Sequence, residues 1–140
     1  MNNLKYKEIK FTKKETKFLH ENEICRVATS STDREPHVIP VCYLFIDNSF
    51  YFATDYNTKN YRNLRNNKVV ALVVDVYNPP GNKAVAITGT AIIIEAGRKF
   101  NRIFQIFYER FEWVKKEPWQ EGEAPFIEVR CLRKVSWGIT

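Results

Sequence analysis

Apolar residues along this chain fall into short runs of two periods, and the switches between the periods mark the elements. Thr12-Lys13-Lys14-Glu15 reads as a capping box, a hydroxyl and a carboxylate each satisfying a helix-start N–H, and it opens a short helix to about Asn22 with Phe18 and Leu19 apolar. Ile24 to Ser31 is β-rich and is ended by the polar stretch Thr32 to Pro36. His37 to Ile46 is apolar again, and Asp47-Asn48 then supply a hairpin turn into Phe50 to Thr54. Three strands joined by polar turns predict an antiparallel meander.

From Thr54 to Asn67 the chain is polar, and Tyr61 and Leu64 stand three apart, which suits a short surface helix beginning near Asn57 or Thr58. Lys68 to Tyr77 returns to strand, and its near-continuous valine predicts burial on both faces. After the turn Asn78-Pro79-Pro80-Gly81-Asn82, Ala84 to Glu95 forms a long strand in which Gly89 marks a bulge or a close backbone approach. Arg98 to Val114 carries Phe100, Ile103, Phe104, Phe107, Phe111 and Val114 at helical spacing, a stripe that fits core or subunit interface. Phe126 to Leu132 and Val135 to Ile139 read as two closing strands. The pattern predicts a mainly β, antiparallel barrel of six to seven strands with peripheral helices.

At 140 residues the chain has the size of one domain, residues 1–140, and buries a core without staples. Hydrophobic residues at 44% and charged residues at 27% are those of an ordinary globular protein. The longest apolar run, Ala84 to Ile94, is far shorter than the roughly 20 residues a spanning helix needs, so no membrane is expected. The stretch Met1 to Phe11 is polar and shows no apolar signal region, which leaves a cytoplasmic location as the expectation. Cys25, Cys42 and Cys131 make no paired metal spacing and fall in strand-like runs, as buried thiols do. His20 and His37 lack the close cysteine or carboxylate neighbours of a zinc motif, and no metal is expected. The net charge of +6 attracts anions of every kind, nucleic acid and nucleotide cofactors included.

Chemistry concentrates between Phe52 and Arg65. A strand ends, a polar turn follows, and a helix begins. The free N–H groups of its first turn and the positive end of its dipole make an anion site. Lys59 adds a charge there, Thr58 a hydroxyl, and Asn63 lies on the face of Lys59 at i+4. A phosphate monoester fits this arrangement; so does an ordinary capped helix with a solvated basic face. Trp113 and Trp119 carry no motif and read as packing or loop residues.

From Arg26 to Glu95 the order of these words resembles the FMN-binding split β-barrels related to pyridoxamine 5′-phosphate oxidase. Arg26-Val27-Ala28-Thr29 is similar to the first barrel strand of that family, and Pro36 to Val41 to the second, which lines the flavin. Tyr51 to Thr54, then Thr58-Lys59 and Asn63 to Asn67, resemble the strand and helix that hold the flavin phosphate. Thr88-Gly89-Thr90-Ala91 is similar to the glycine-bearing later strand. Val135-Ser136-Trp137-Gly138 resembles the segment whose tryptophan approaches the flavin at the subunit interface; a large aromatic finishing the barrel core is the other reading of Trp137. The resemblance implies phosphate contacts from Thr58 and Lys59 with help from Asn63. It implies that His37, Val38, Ile39, Pro40, Val41 and Cys42, with Ala53 and Thr54, border the flavin ring and ribityl chain.

The chain also departs from that family's oxidases. Cys42 stands where a substrate-binding lysine is usual, and Thr58 replaces the arginine before the phosphate-binding lysine. The arginine- and histidine-bearing tail that grips the pyridoxine ring has no counterpart up to Thr140, so vitamin B6 oxidation is not expected. The resemblance implies an FMN-dependent oxidoreductase of a small-molecule substrate, working as a homodimer with the flavin between subunits. A flavin ring needs no protein acid or base for hydride transfer, and no catalytic residue is assigned. A non-enzymatic protein that binds or senses a flavin or a deazaflavin is the alternative. Nucleic-acid binding is disfavoured, because the aromatics (14%) fall mostly at core periodicity and the basic residues form no single stripe.

Overall fold

In a computed structural model describing residues 9–139, the capping box forms as the sequence implies: Thr12 N–H donates to Glu15 Oε1 at 2.9 Å and Glu15 N–H to Thr12 Oγ1 at 3.0 Å. The polar N-terminal stretch up to residue 8 lies outside the described residues. The elements run α1 (Lys13–Glu21), β1 (Ile24–Ser30), β2 (Pro36–Cys42), β3 (Leu44–Ile46), β4 (Ser49–Ala53), α2 (Lys59–Asn66), β5 (Val69–Val76), β6 (Lys83–Ile94), α3 (Gly97–Arg110), α4 (Glu112–Lys116) and β7 (Phe126–Trp137). All seven strands join one antiparallel sheet in the order β2-β1-β5-β6-β7-β4-β3, with four helices at its periphery. The result is a split β-barrel.

The run from His37 to Ile46 is not one strand of a meander. It divides at Tyr43: β2 pairs with β1 at one end of the sheet, and β3 pairs with β4 at the other. A single residue linking the two sheet ends means the sheet is rolled until they meet. Tyr43 is buried in that corner, its N–H donating to Glu23 O at 3.0 Å and its hydroxyl to Leu19 O at 2.5 Å. Hydrophobicity alone does not register this corner, since both halves of the run are equally apolar.

The expected pair of closing strands is one strand. Arg133 and Lys134 pair with Thr88 and Ile87 and carry β7 unbroken to Trp137. The expected helix Arg98 to Val114 is broken at Phe111, whose backbone is extended (φ −115°, ψ 121°), but its stripe is buried as anticipated: Phe100, Ile103, Phe107, Phe111 and Val114 pack onto Tyr51, Ile94 and Phe126. Five of the six stripe residues are therefore spent inside the chain, and Phe104 is half-buried. A second cluster, including Val27, Phe50, Phe52, Leu72, Val85, Ile127 and Val129, fills the barrel. Each such fully buried side chain contributes on the order of 1.5–3 kcal/mol.

The valines of β5 are not buried on both faces. Val70, Leu72 and Val74 enter the core, while Val69 is 61% exposed and Ala71 and Val73 are half-buried. Gly89 sits at a register shift between β6 and β7, and a Cβ there would lie 2.3 Å from Arg130 O, so the close backbone approach read from the sequence is real. No helix among the described residues is long and apolar enough to cross a membrane, and no group of three or more His, Cys, Asp or Glu side chains among them is placed to hold a metal.

Candidate cofactor site

β4 ends at Ala53, and a turn delivers the chain into α2 with Thr58 at its N-cap. The hydroxyl of Thr58 accepts from Tyr61 N–H at 3.1 Å and donates to Asp55 O at 2.9 Å, with Thr54 Oγ1 a further 2.9 Å away. Thr58 is thus fully occupied in shaping the turn.

α2 lays one face on the end of the barrel, burying Asn60, Tyr61, Asn63 and Leu64. Asn63 is moored there, Nδ2 donating to Thr29 Oγ1 of β1 at 3.0 Å, and Asn67 Nδ2 likewise reaches Ser30 Oγ. Asn63 therefore points inward at β1, and the spacing that placed it beside Lys59 did not bring the two side chains together. Lys59 Nζ lies instead 2.5 Å from Glu35 Oε1 in the β1–β2 turn. The hydrogen bond and charge of Lys59 hold the Glu35 carboxyl below the usual carboxylate range.

Asn60, the second residue of α2, was not singled out by sequence reasoning. It is 0% exposed, and neither Nδ2 nor Oδ1 has a hydrogen-bond partner among the described residues. A buried amide left this way costs roughly 1–3 kcal/mol, so it calls for an explanation. The only sequence signal for it is its place in the first turn of a capped helix.

The six candidates on β2 divide between two faces. Register puts His37, Ile39 and Val41 opposite Thr29, Val27 and Cys25 on the inner face, and Val38, Pro40 and Cys42 opposite Ala28, Arg26 and Ile24 on the outer one. Because β2 is an edge strand, a ligand lying along it meets both sets. Burial pushes the Cys42 thiol up. Ala53 and Thr54 line an open cavity of about 470 Å³ with Asp55, Trp113 and Trp119.

Trp137 stands apart from these residues. It pairs with Ala84 on the outer face and is 49% exposed, so it does not finish the barrel core. Four strand steps separate β7 from β2 through β6, β5 and β1. At about 4.8 Å per step that is ~19 Å along the sheet. Between them lies an apolar groove of about 490 Å³, floored by Ala71, Val73 and Ala86 and edged by Val38, Val135, Arg26 and Arg133.

The first turn of α2 offers a flavin phosphate a cation in Lys59 and the positive end of a helix, with the Asn60 amide buried beneath. Thr58 and Asn63 are engaged within the chain and help by holding the turn and the helix in place.

Residues 11–131 match the family model described as pyridoxamine 5′-phosphate oxidase. Among solved structures, a conserved hypothetical protein from Mycobacterium tuberculosis superposes with a TM-score of 0.76 at 18% identity, over 95% of this chain and 88% of that one. HutZ, the heme storage protein from Vibrio cholerae, gives 0.76 at 14% identity, over 86% and 89%. A FAD-binding protein from Mesorhizobium loti gives 0.69 at 24% identity, over 86% and 89%. At these identities the likeness is one of fold. No curated protein sequence matches the chain significantly.

Proposed function

The chain belongs to the pyridoxamine 5′-phosphate oxidase family, and from that premise we propose that it is a homodimeric FMN-dependent oxidoreductase acting on a small molecule other than a B6 vitamer. The observation that carries this reading is Asn60, a buried amide without a partner among the described residues, in the first turn of the helix that the sequence resemblance assigns to the flavin phosphate.

In this reading Lys59 contacts the phosphate, Asn60 joins it when the first turn of α2 shifts outward on binding, and Thr58 and Asn63 fix the helix that presents them. Thr58 does so by capping α2, and Asn63 by its bond to Thr29. The edge of β2, with Val38, Pro40 and Cys42 on one side and His37, Ile39 and Val41 on the other, borders the ring and ribityl chain, beside Ala53 and Thr54. Bound flavin supplies the electron-carrying ring, and the chain binds it, orients it and shields it from water. Val38 and Pro40 give the ring an apolar wall.

In this reading the flavin lies between two subunits, and the exposed Trp137 of one copy approaches β2 of the other. Val38, Val69, Val135 and Trp137, each about half exposed or more, supply an apolar sheet face for such a contact, and C2 pairing is the usual outcome. This replaces the α3 stripe as the interface.

Anaerobic addition of reduced nicotinamide nucleotides to the FMN-loaded protein tests the enzymatic half of the reading. Bleaching of the long-wavelength flavin band supports an oxidoreductase. Tightly held flavin that no reductant reaches points to the alternative, a protein that carries or senses flavin or deazaflavin.

A further inference from the structure

The cavity beside Ala53 and Thr54 has a character that a phosphate site does not explain. Its wall is made of Trp113 and Trp119, rings stacked with centroids 6.0 Å apart and planes within 10°. Trp119 is braced from behind by Phe104 at 5.2 Å and Phe126 at 5.6 Å, and Trp113 lies 6.3 Å from the Phe111 ring, so the pair is packed as one π surface. Its rim carries three exposed carboxylates, Asp55, Glu117 and Glu123.

In a chain of net charge +6, none of these three has an ion-pair partner among the described residues. Glu123 receives only the Gln120 N–H, at 2.7 Å. Aromatic faces and carboxylates converging on one cavity recognise a positively charged organic head group. The same charges repel phosphate, which places the flavin's phosphate on the Lys59–Asn60 side.

We propose that this cavity binds a small organic cation, an alkylated or primary amine, through Trp113, Trp119 and the three carboxylates. That such a cation is presented to a flavin rests on the preceding reading; the binding site itself does not.

Calorimetric titration of the full chain with choline, and with the uncharged isostere in which carbon replaces the ammonium nitrogen, tests it. Choline should bind saturably and at least about tenfold more tightly than the isostere, the factor that cation–π and charge contributions of this size produce. Trp113→Ala, and separately the triple change Asp55→Asn, Glu117→Gln and Glu123→Gln, should each weaken choline by about tenfold while thermal unfolding stays cooperative. Because these four side chains are exposed, both variants keep the core. Absence of saturable binding, equal binding of charged and uncharged probes, or indifference of choline to both variants overturns the proposal. FMN titration of the same sample separates the two readings: choline binding without FMN binding leaves the cation site standing and removes the flavin.

Discussion

Lys59 Nζ lies 2.5 Å from Glu35 Oε1, so this cation in the first turn of α2 is held by a carboxylate from the neighbouring β1–β2 turn. Both side chains are substantially solvated, and a pair of this kind is weak enough for a phosphate to displace. Glu35→Gln removes the competitor and should tighten FMN by a few-fold, whereas Lys59→Ala should weaken it by roughly tenfold, as loss of a charge-assisted contact does. Flavin fluorescence titration measures both. Unchanged affinity in Lys59→Ala refutes that residue's phosphate role.

Asn60 gives a prediction with opposite signs for two readouts. Asn60→Leu removes an unsatisfied buried amide at similar volume, so the flavin-free protein should gain about 1 kcal/mol or at worst stay level in denaturant unfolding. FMN binding should weaken at the same time. A variant that loses stability without flavin would show that Asn60 is satisfied inside the chain.

Two buried carboxylates set the acid limit of the fold. Burial would push Glu15 up, but hydrogen bonds from Lys134, Ser136 and the Thr12 N–H outweigh it and leave Glu15 below its ordinary value of 4.5. Glu128 follows the same logic: burial raises it, and Lys99 and Ser49 bring it below 4.5. A carboxyl whose folded value is depressed contributes stability above its unfolded value and loses it as pH falls through the folded one. Stability should therefore be flat around neutrality and decline below about 4.5. Glu15→Gln and Glu128→Gln should each cost about 1.5–3 kcal/mol at neutral pH and flatten that acid decline. Urea unfolding across pH measures it.

Gly89→Ala tests the barrel rather than the site. Its Cβ would meet the Arg130 carbonyl oxygen at 2.3 Å, and backbone on the neighbouring strand has no cheap way to retreat. Thermal unfolding should show a loss of about 2 kcal/mol or more.

Much of this architecture was legible because its signals are local. The Thr12–Glu15 box, the turn at Asp47-Asn48, the stripe from Phe100 to Val114 and the bulge at Gly89 each depend on residues near one another in sequence. The corner at Tyr43 was not legible, since what divides β2 from β3 is the partner each half finds across the barrel. The break at Phe111 was hidden for a similar reason: the apolar spacing runs on while the backbone turns extended. At the site, spacing located α2 and its cap but assigned the wrong faces. Lys59 and Asn63 are one helical turn apart, yet Thr29 draws Asn63 inward and Glu35 draws Lys59 outward. Asn60 carries no sequence mark beyond its position in the first turn.

Val135→Glu probes the apolar sheet face directly. Val135 is 58% exposed beside Trp137, so the substitution is harmless to a lone chain and places a charge inside any contact that uses this face. Sedimentation at micromolar concentration should show a dimer for the native chain and a 16.5 kDa species for the variant. A native chain that sediments as the smaller species refutes the shared site.

The most direct test of the account is titration of the purified protein with FMN, followed by absorbance and by quenching of flavin fluorescence. The account predicts saturable binding at micromolar FMN or tighter, with one flavin per chain and weakened binding in Lys59→Ala. No saturable change in either signal would contradict the flavin assignment while leaving the split barrel as described.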